Sequence, residues 1–339
     1  MTMTAPAAAS GDTVRELPYV SAVVEGFRQA MQEDAGVFIA GEDIAAYGSV
    51  FGVTRGLLAE FGPERIVDSP ISEAALLGLG IGAAATGCRP VIDIMFMDFL
   101  GIAMDQLVNQ AAKMKYMFGG KARLPLTVHT MAGAGTSMAA QHSQSLEAWL
   151  CHIPGLKVVM PSGAYEAKGL LLSAIFDDNP VVVVNTKTVL GQRAHVPEEP
   201  YRIPLGQAAV VREGTDVTVV ALGRMVSEAR KAAEQLAAED GVSLEIVDPR
   251  TLSPFDTETV VASVRKTNHC VVAHEAVRFG GFGGEIVAQI QEEAFDHLDA
   301  PVARVGAPFC PVPFSPVLEQ QYVPTASWIV DAVRRTLGR

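Results

Sequence analysis

Cysteine is scarce in this chain: four in 339 residues, at positions 88, 151, 270 and 310, with no C-x-x-C pair. That spacing supports neither a disulfide framework nor a zinc site, and it suits a reducing cytosol. Basic residues are also in short supply. Lys and Arg total 26 against 38 Asp and Glu, for a net charge of −12, and no basic cluster stands out, so nucleic acid is not an expected partner. Hydrophobic residues make up 49% of the chain, yet no uninterrupted apolar run reaches the roughly 18 residues of a membrane span. The surplus must be buried in cores and against partner subunits. The opening MTMTAPAAASGD lacks a basic start followed by an apolar core. Residues 1–15 are therefore expected to be a disordered leader, and the protein cytoplasmic.

Catalytic signatures are missing as well. There is no G-x-S-x-G, and the seven histidines form no H-E-x-x-H or other paired metal spacing, which argues against a serine elbow and a catalytic zinc. Two glycine segments, GLGIG (78–82) and GGFGG (280–284), resemble phosphate loops. The first lies inside a helical pattern and the second lacks G-x-G-x-x-G spacing, so close helix packing and a flexible turn into a helix explain them better.

What is present is an alternation of apolar strands and helices. VFIAG (37–41), PVIDIMF (90–96), LPLTVHTM (124–131), LKVVMP (156–161) and PVVVVNT (180–186) alternate with segments such as 98–117 and 164–177, which read as helices. Unbroken Val/Ile runs between helices indicate a parallel sheet covered on both faces. HVPEEPYRIP (195–204) then reads as an extended, solvated linker. DVTVVAL (216–222), SLEIVDP (243–249), HCVVAHEA (269–276) and PVARVG (301–306) alternate with helices near 225–239, 256–266 and from 284, with a last helix at 325–337. The fold class is thus α/β, with two α/β domains over 16–194 and 205–339. The proline-rich GAPFCPVPFSP (306–316) is expected to be a long surface segment and an interface.

Four places carry candidate chemistry. In DSPISEAALLGLGIGAAATG (68–87), Glu73 stands at the mouth of a helix so apolar that packing on several sides is expected. It reads either as a first-turn acid beside a Ser72 cap or as a buried carboxylate that hydrogen-bonds a ligand nitrogen. His142, in MAAQHSQSLEAW, is either an acid–base group on a polar loop or a neighbour of a helix capped by Ser143 or Ser145. Phe99 reads as core or as a ligand platform. FDDNP (176–180) reads as a helix end and turn, in which Asp177 and Asn179 could hold a cation.

Together, GEDIAAYGSVFGVTRGL, RIVDSPISEAALLGLGIGAA, MFMDF…DQLVNQAAK, AAQHSQS, HIPGLKVVMPS, AKGLLLSAIFDDNPVVV and VDPRTLSPFD closely resemble the beta subunits of thiamine diphosphate-dependent 2-oxo acid dehydrogenases. MFGGKA, TMAGAG, AAQHSQ and GAPFCPVPFS most resemble the acetoin dehydrogenase branch, with the pyruvate and branched-chain enzymes next. The resemblance implies a pyrimidine-binding domain followed by a transketolase C-terminal-like domain. It implies that Glu73 hydrogen-bonds the aminopyrimidine and promotes its imino tautomer, that Phe99 stacks on that ring, and that Glu42, Ile71 and Met95 line its pocket. His142 would sit near the thiazolium. Asp177 and Asn179, with carbonyls of Leu124, Leu126 and Ala174, would match a structural potassium site.

The family's Gly-Asp-Gly run, which holds magnesium and the diphosphate, is absent from this chain. The resemblance therefore implies an alpha subunit that supplies the metal side in an alpha2beta2 heterotetramer, and a lipoyl-bearing acyltransferase that takes the product. The implied reaction is cleavage of acetoin or decarboxylation of a 2-oxo acid. A noncatalytic assembly subunit and a transketolase-like two-carbon transferase are the rival readings.

Overall fold

The computed structural model describes residues 15–339, so the expected leader lies outside the described residues except for Arg15. Seven strands form the first sheet, in the order Thr251–Ser253, Lys157–Val159, Val181–Thr186, Thr127–Ala132, Arg89–Phe96, Val37–Gly41, Ile66–Asp68. All pairs are parallel except the first, in which Thr251–Ser253 runs antiparallel to Lys157–Val159. Val181 to Val184 are all buried, as an unbroken β-branched run between two helical layers requires. On one face, helix Tyr19–Glu33 packs on helix Ala164–Ile175. On the other, helix Glu73–Ala85 lies against strand Arg89–Phe96. A Cβ on Gly80 would stand 2.5 Å from Ile92 Cγ1, so this glycine of GLGIG serves close helix–sheet packing.

The second sheet has the order Ala303–Ala307, Cys270–Val277, Val217–Ala221, Leu244–Asp248, Ala209–Arg212, with only the last strand antiparallel. The GGFGG segment wraps a buried side chain. A Cβ on Gly281 or Gly283 would lie 2.7 or 2.5 Å from the His274 imidazole, whose pKa burial, above all, lowers to about 4. No described helix is long and apolar enough to cross a membrane.

Several expectations need correction. Helix Glu73–Ala85 is packed on one side only: Ala74, Ala75, Leu79, Gly82 and Ala85 are exposed. The helix expected over 98–117 starts later than expected, running unbroken over 104–117 after a 3-10 turn Met97–Gly101, and it contains π-type turns Gln106–Ala111 before the α-helical Ala112–Met117. The carbonyl of Ala112 would stand 2.0 Å from a Cβ on Gly155, so the loop before strand Lys157–Val159 presses directly on this helix.

Nor is the 195–204 segment solvated throughout. The Glu198 and Glu199 side chains are exposed, but Val196 and Ile203 are buried, and Tyr201 stacks on Tyr165 with ring centroids 4.6 Å apart. The fully buried Lys168 ammonium donates to the carbonyls of Pro197, Glu198 and Glu199 at 2.7, 3.0 and 3.1 Å, and to Glu25 Oε1 at 2.6 Å. The proline-rich segment does lie on the surface, with Phe309 and Phe314 74% and 71% exposed. It leads into a short helix, Pro316–Tyr322.

Candidate active site

The chain runs from strand Val37–Gly41 outward to Ile66–Asp68, then crosses back to Arg89–Phe96 and onward to Thr127–Ala132. The direction of travel reverses between Val37–Gly41 and Arg89–Phe96, and ligands of open α/β sheets bind beyond the carboxyl ends of strands at such a point. Glu42 follows the first of these strands, while Ile71 and Glu73 follow the second. Met95 and Phe99 lie at and just beyond the end of the third, and His142 lies beyond the fourth.

Glu73 is the first residue of its helix and is 5% exposed. Among the described residues no side chain or backbone group hydrogen-bonds to its carboxyl. Ser72 does not cap the helix: its hydroxyl donates to the carbonyl of Ile71 at 2.6 Å. Its backbone N–H donates instead to Glu42 Oε1 at 3.2 Å. Burial is the main cause that raises the Glu42 pKa, with repulsion from Glu73, Asp43 and Asp93 adding and the Ser72 amide opposing. The two glutamates thus share one recess, beside an Ile71 that is 81% exposed.

His142 and Phe99 are both half-buried and meet edge to face at 5.3 Å. Phe96, which the sequence did not single out, organises the pair. Its ring contacts His142 at 4.8 Å, Phe99 at 5.8 Å and Phe51 at 5.3 Å. Lys187 lies 5.3 Å over the Phe96 ring and donates to the carbonyl of His142. The expected serine cap near His142 does not form. The next helix, Glu147–Cys151, has Leu146 at its cap position, and the buried Ser143 hydroxyl has no partner.

Sequence reasoning also missed Glu147. It is fully buried, both carboxyl oxygens lack partners, and burial, with Glu275 adding, raises its pKa from 4.5 to about 7. Between those two values the folded chain keeps a proton that the unfolded chain releases, so stability is full below pH 4.5 and falls as pH rises to about 7. The loss is about 3 kcal/mol at roughly 1.4 kcal/mol per unit. Glu147→Gln should therefore stabilise the chain at pH 8 and leave it unchanged at pH 4. Urea midpoints of the two proteins at both pH values check this, and equal midpoints at pH 8 would contradict it.

The five residues of the expected cation site do gather at one corner, at the opposite rim of the sheet. Leu124 N donates to Asp178 O, and Val181 N to Leu126 O. The side-chain oxygens there are already engaged. Asp177 Oδ2 accepts from Lys157 at 2.5 Å, Asp177 Oδ1 accepts from Asn179 Nδ2 at 2.8 Å, and Asn179 Oδ1 accepts from Lys115 at 2.7 Å. The carbonyl of Ala174 accepts from Asp177 N at 3.3 Å. Two ammonium groups thus supply positive charge at this corner, while the buried hydroxyl of Thr127, next to Leu126, has no partner.

Comparison with known proteins agrees with this architecture. The transketolase pyrimidine binding domain family matches residues 15–192, and the transketolase C-terminal domain family matches residues 206–329. The chain is 47% identical over 336 residues to the acetoin:2,6-dichlorophenolindophenol oxidoreductase subunit beta of Bacillus subtilis, covering 96% of this chain and 98% of that protein. It is 43% identical over 317 residues to the pyruvate dehydrogenase E1 component subunit beta of Rickettsia felis, covering 92% and 97%. The solved structure of a split gene transketolase, an inactive beta4 tetramer, superposes with a TM-score of 0.77 at 27% identity, over 95% of this chain and 98% of that one. The chain belongs to the beta subunits of thiamine diphosphate-dependent dehydrogenases, a class built from these two transketolase domains.

Proposed function

We propose that this chain is the beta subunit of a cytoplasmic alpha2beta2 dehydrogenase that cleaves acetoin or decarboxylates a 2-oxo acid and passes the acyl group to a lipoyl-bearing acyltransferase. The observation that carries this reading is the buried Glu73 carboxyl, without a hydrogen-bond partner among the described residues, at the strand-end rim that also brings Phe99 and His142 together. These residues suit the aminopyrimidine end of thiamine diphosphate. Phe99 offers a ring face, Met95 an apolar wall, and Glu42 and Glu73 acceptors for ring nitrogens. When bound, the cofactor supplies the electron sink for breaking the bond beside a carbonyl.

Glu73 would hold a proton at an aminopyrimidine nitrogen. The His142 imidazole would give a proton to the sulfur that leaves when the lipoyl disulfide opens.

In the segments that carry these residues, Tyr47 after Glu42, Ile71 and Leu79 on either side of Glu73 and Ile102 after Phe99 are exposed to 71%, 81%, 50% and 60%. Such an apolar rim fits a subunit that closes over the cofactor. Purified alone, the chain should assemble with itself and be inactive, as the split gene transketolase is in its beta4 tetramer. Coexpression with its alpha chain should give activity. His142→Ala in that complex should keep most of its dye-coupled turnover and lose most of the lipoyl-coupled turnover. Cofactor turnover by the isolated chain would overturn the assignment. Equal losses in both assays would move His142 to an earlier step.

For potassium, the reading requires Lys157 and Lys115 to swing off Asp177 and Asn179. A higher melting temperature in potassium than in sodium chloride at equal ionic strength would support it. Identical melting would leave the two lysines as the resident cations of that corner.

A further inference from the structure

The segment GAGTSMAAQH (133–142) that ends at His142 has no regular structure of its own, and it takes left-handed backbone angles at Gly133, Gly135, Ser137 and Ala139, with φ of 96°, 95°, 53° and 60°. Glycine takes such angles freely, but Ser137 and Ala139 hold them only where surrounding groups impose them. Here the imposing groups come from the second half of the chain. Glu275, on strand Cys270–Val277, accepts from the amide of Ala134 at 2.6 Å. Glu319, on helix Pro316–Tyr322, accepts from the amides of Gly135 and Ser137 at 2.7 and 2.8 Å, and from the Ser137 hydroxyl at 3.2 Å. Both glutamates are 3% exposed.

A carboxylate that spans two amides two residues apart selects one loop shape, and charge-assisted bonds of this kind are among the stronger ones. Glu275 is itself held. Arg224 donates to Glu275 Oε2 at 2.8 Å and to the carbonyl of Pro324 at 2.5 Å. Gly133 is required by the approach, because a Cβ there would stand 2.6 Å from Glu275 Oε1. At the far end of the loop Lys187, itself in the field of Asp98, Glu275 and Glu319, donates to the His142 carbonyl.

We propose that Glu275 and Glu319 are positioning residues that fix the His142 loop, so that the second domain sets where the imidazole stands against Phe96 and Phe99. The inference rests on the reading of His142 given above. A displacement of about 1 Å at a reacting group can cost roughly 100-fold in rate.

The test uses Glu319→Gln in the reconstituted complex. Its lipoyl-coupled kcat should fall by about 10- to 100-fold at unchanged KM, with dye-coupled turnover largely kept. Hydrogen exchange of the 133–142 segment should accelerate. In combination with His142→Ala it should cause no further loss, because the residue it positions is gone. Equal losses in the two assays, or full additivity with His142→Ala, would show a general clamp and overturn the proposal; so would unchanged exchange. If His142→Ala is itself silent, the reading of His142 fails, while the exchange rates still report whether Glu319 orders the loop. Should Glu319→Gln not assemble, Glu319→Asp keeps the charge but cannot span both amides, and a smaller loss of the same pattern is expected.

Discussion

Glu73→Gln in the complex with the alpha subunit should lower turnover by about 100- to 10,000-fold in both the dye-coupled and the lipoyl-coupled assay, the range a positioned proton transfer commonly spans. The substitution keeps the shape and removes the ability to pass a proton. The fold should tolerate it, because no protein group among the described residues relies on the carboxyl and the residue begins a helix whose next turn, Leu76 and Leu77, is anchored in the core. Circular dichroism and heteromer assembly should therefore match the parent. Loss in both assays would separate Glu73 from His142, whose proposed role begins only once the disulfide acceptor is engaged. Turnover within tenfold of the parent would return Glu73 to the plainer role of a first-turn acid.

The second large effect is on stability. Lys168→Met removes an ammonium that meets three carbonyls of the 195–204 segment and one oxygen of Glu25. Removing one partner of a buried pair costs about 3–5 kcal/mol, since the other charge stays uncompensated. Arg15 also pairs with Glu25, which places the expected loss toward the lower end. The lysine packs on Tyr201 as well, 5.2 Å from its ring, and Met preserves that apolar contact. Chemical denaturation of the parent and variant chains measures the difference. A loss below about 1 kcal/mol, the value of an exposed pair, would show that water replaces the ammonium.

How far the sequence could be read followed the range of the interactions. Val181 to Val184 announce a doubly covered strand because a local run of β-branched residues suffices to dictate it. Glu73 stood out as the one acid heading a thirteen-residue helix otherwise made of Ala, Leu, Ile and Gly, although a first-turn acid is common by itself and only the resemblance of the surrounding motifs implied its role. Glu275 and Glu319 escaped notice because each acts on amides more than a hundred positions away, and such contacts leave no spacing pattern. Glu275 did leave a trace, as an acid inside the apolar run CVVAHEAV. Glu147 left none, since first-turn acids are common on exposed helices. The 3-10 start and π turns of the helix after Phe99 escaped because apolar periodicity does not distinguish α from 3-10 or π turns over a few residues.

The three-residue strand Thr251–Ser253 matters for how the chain is made. It covers the edge of Lys157–Val159 in the first sheet, aided by Met160 N, which donates to the carbonyl of Arg250 at 2.8 Å. On the ribosome the covered strand emerges well before its cover. Until residues beyond 250 are synthesised, the nascent first half carries an open β-edge flanked by some of the most apolar sequence in the chain, the condition under which strands add to neighbouring molecules. That edge closes only once residues beyond 250 are made, and shielding of it is expected to matter most in the interval before that point.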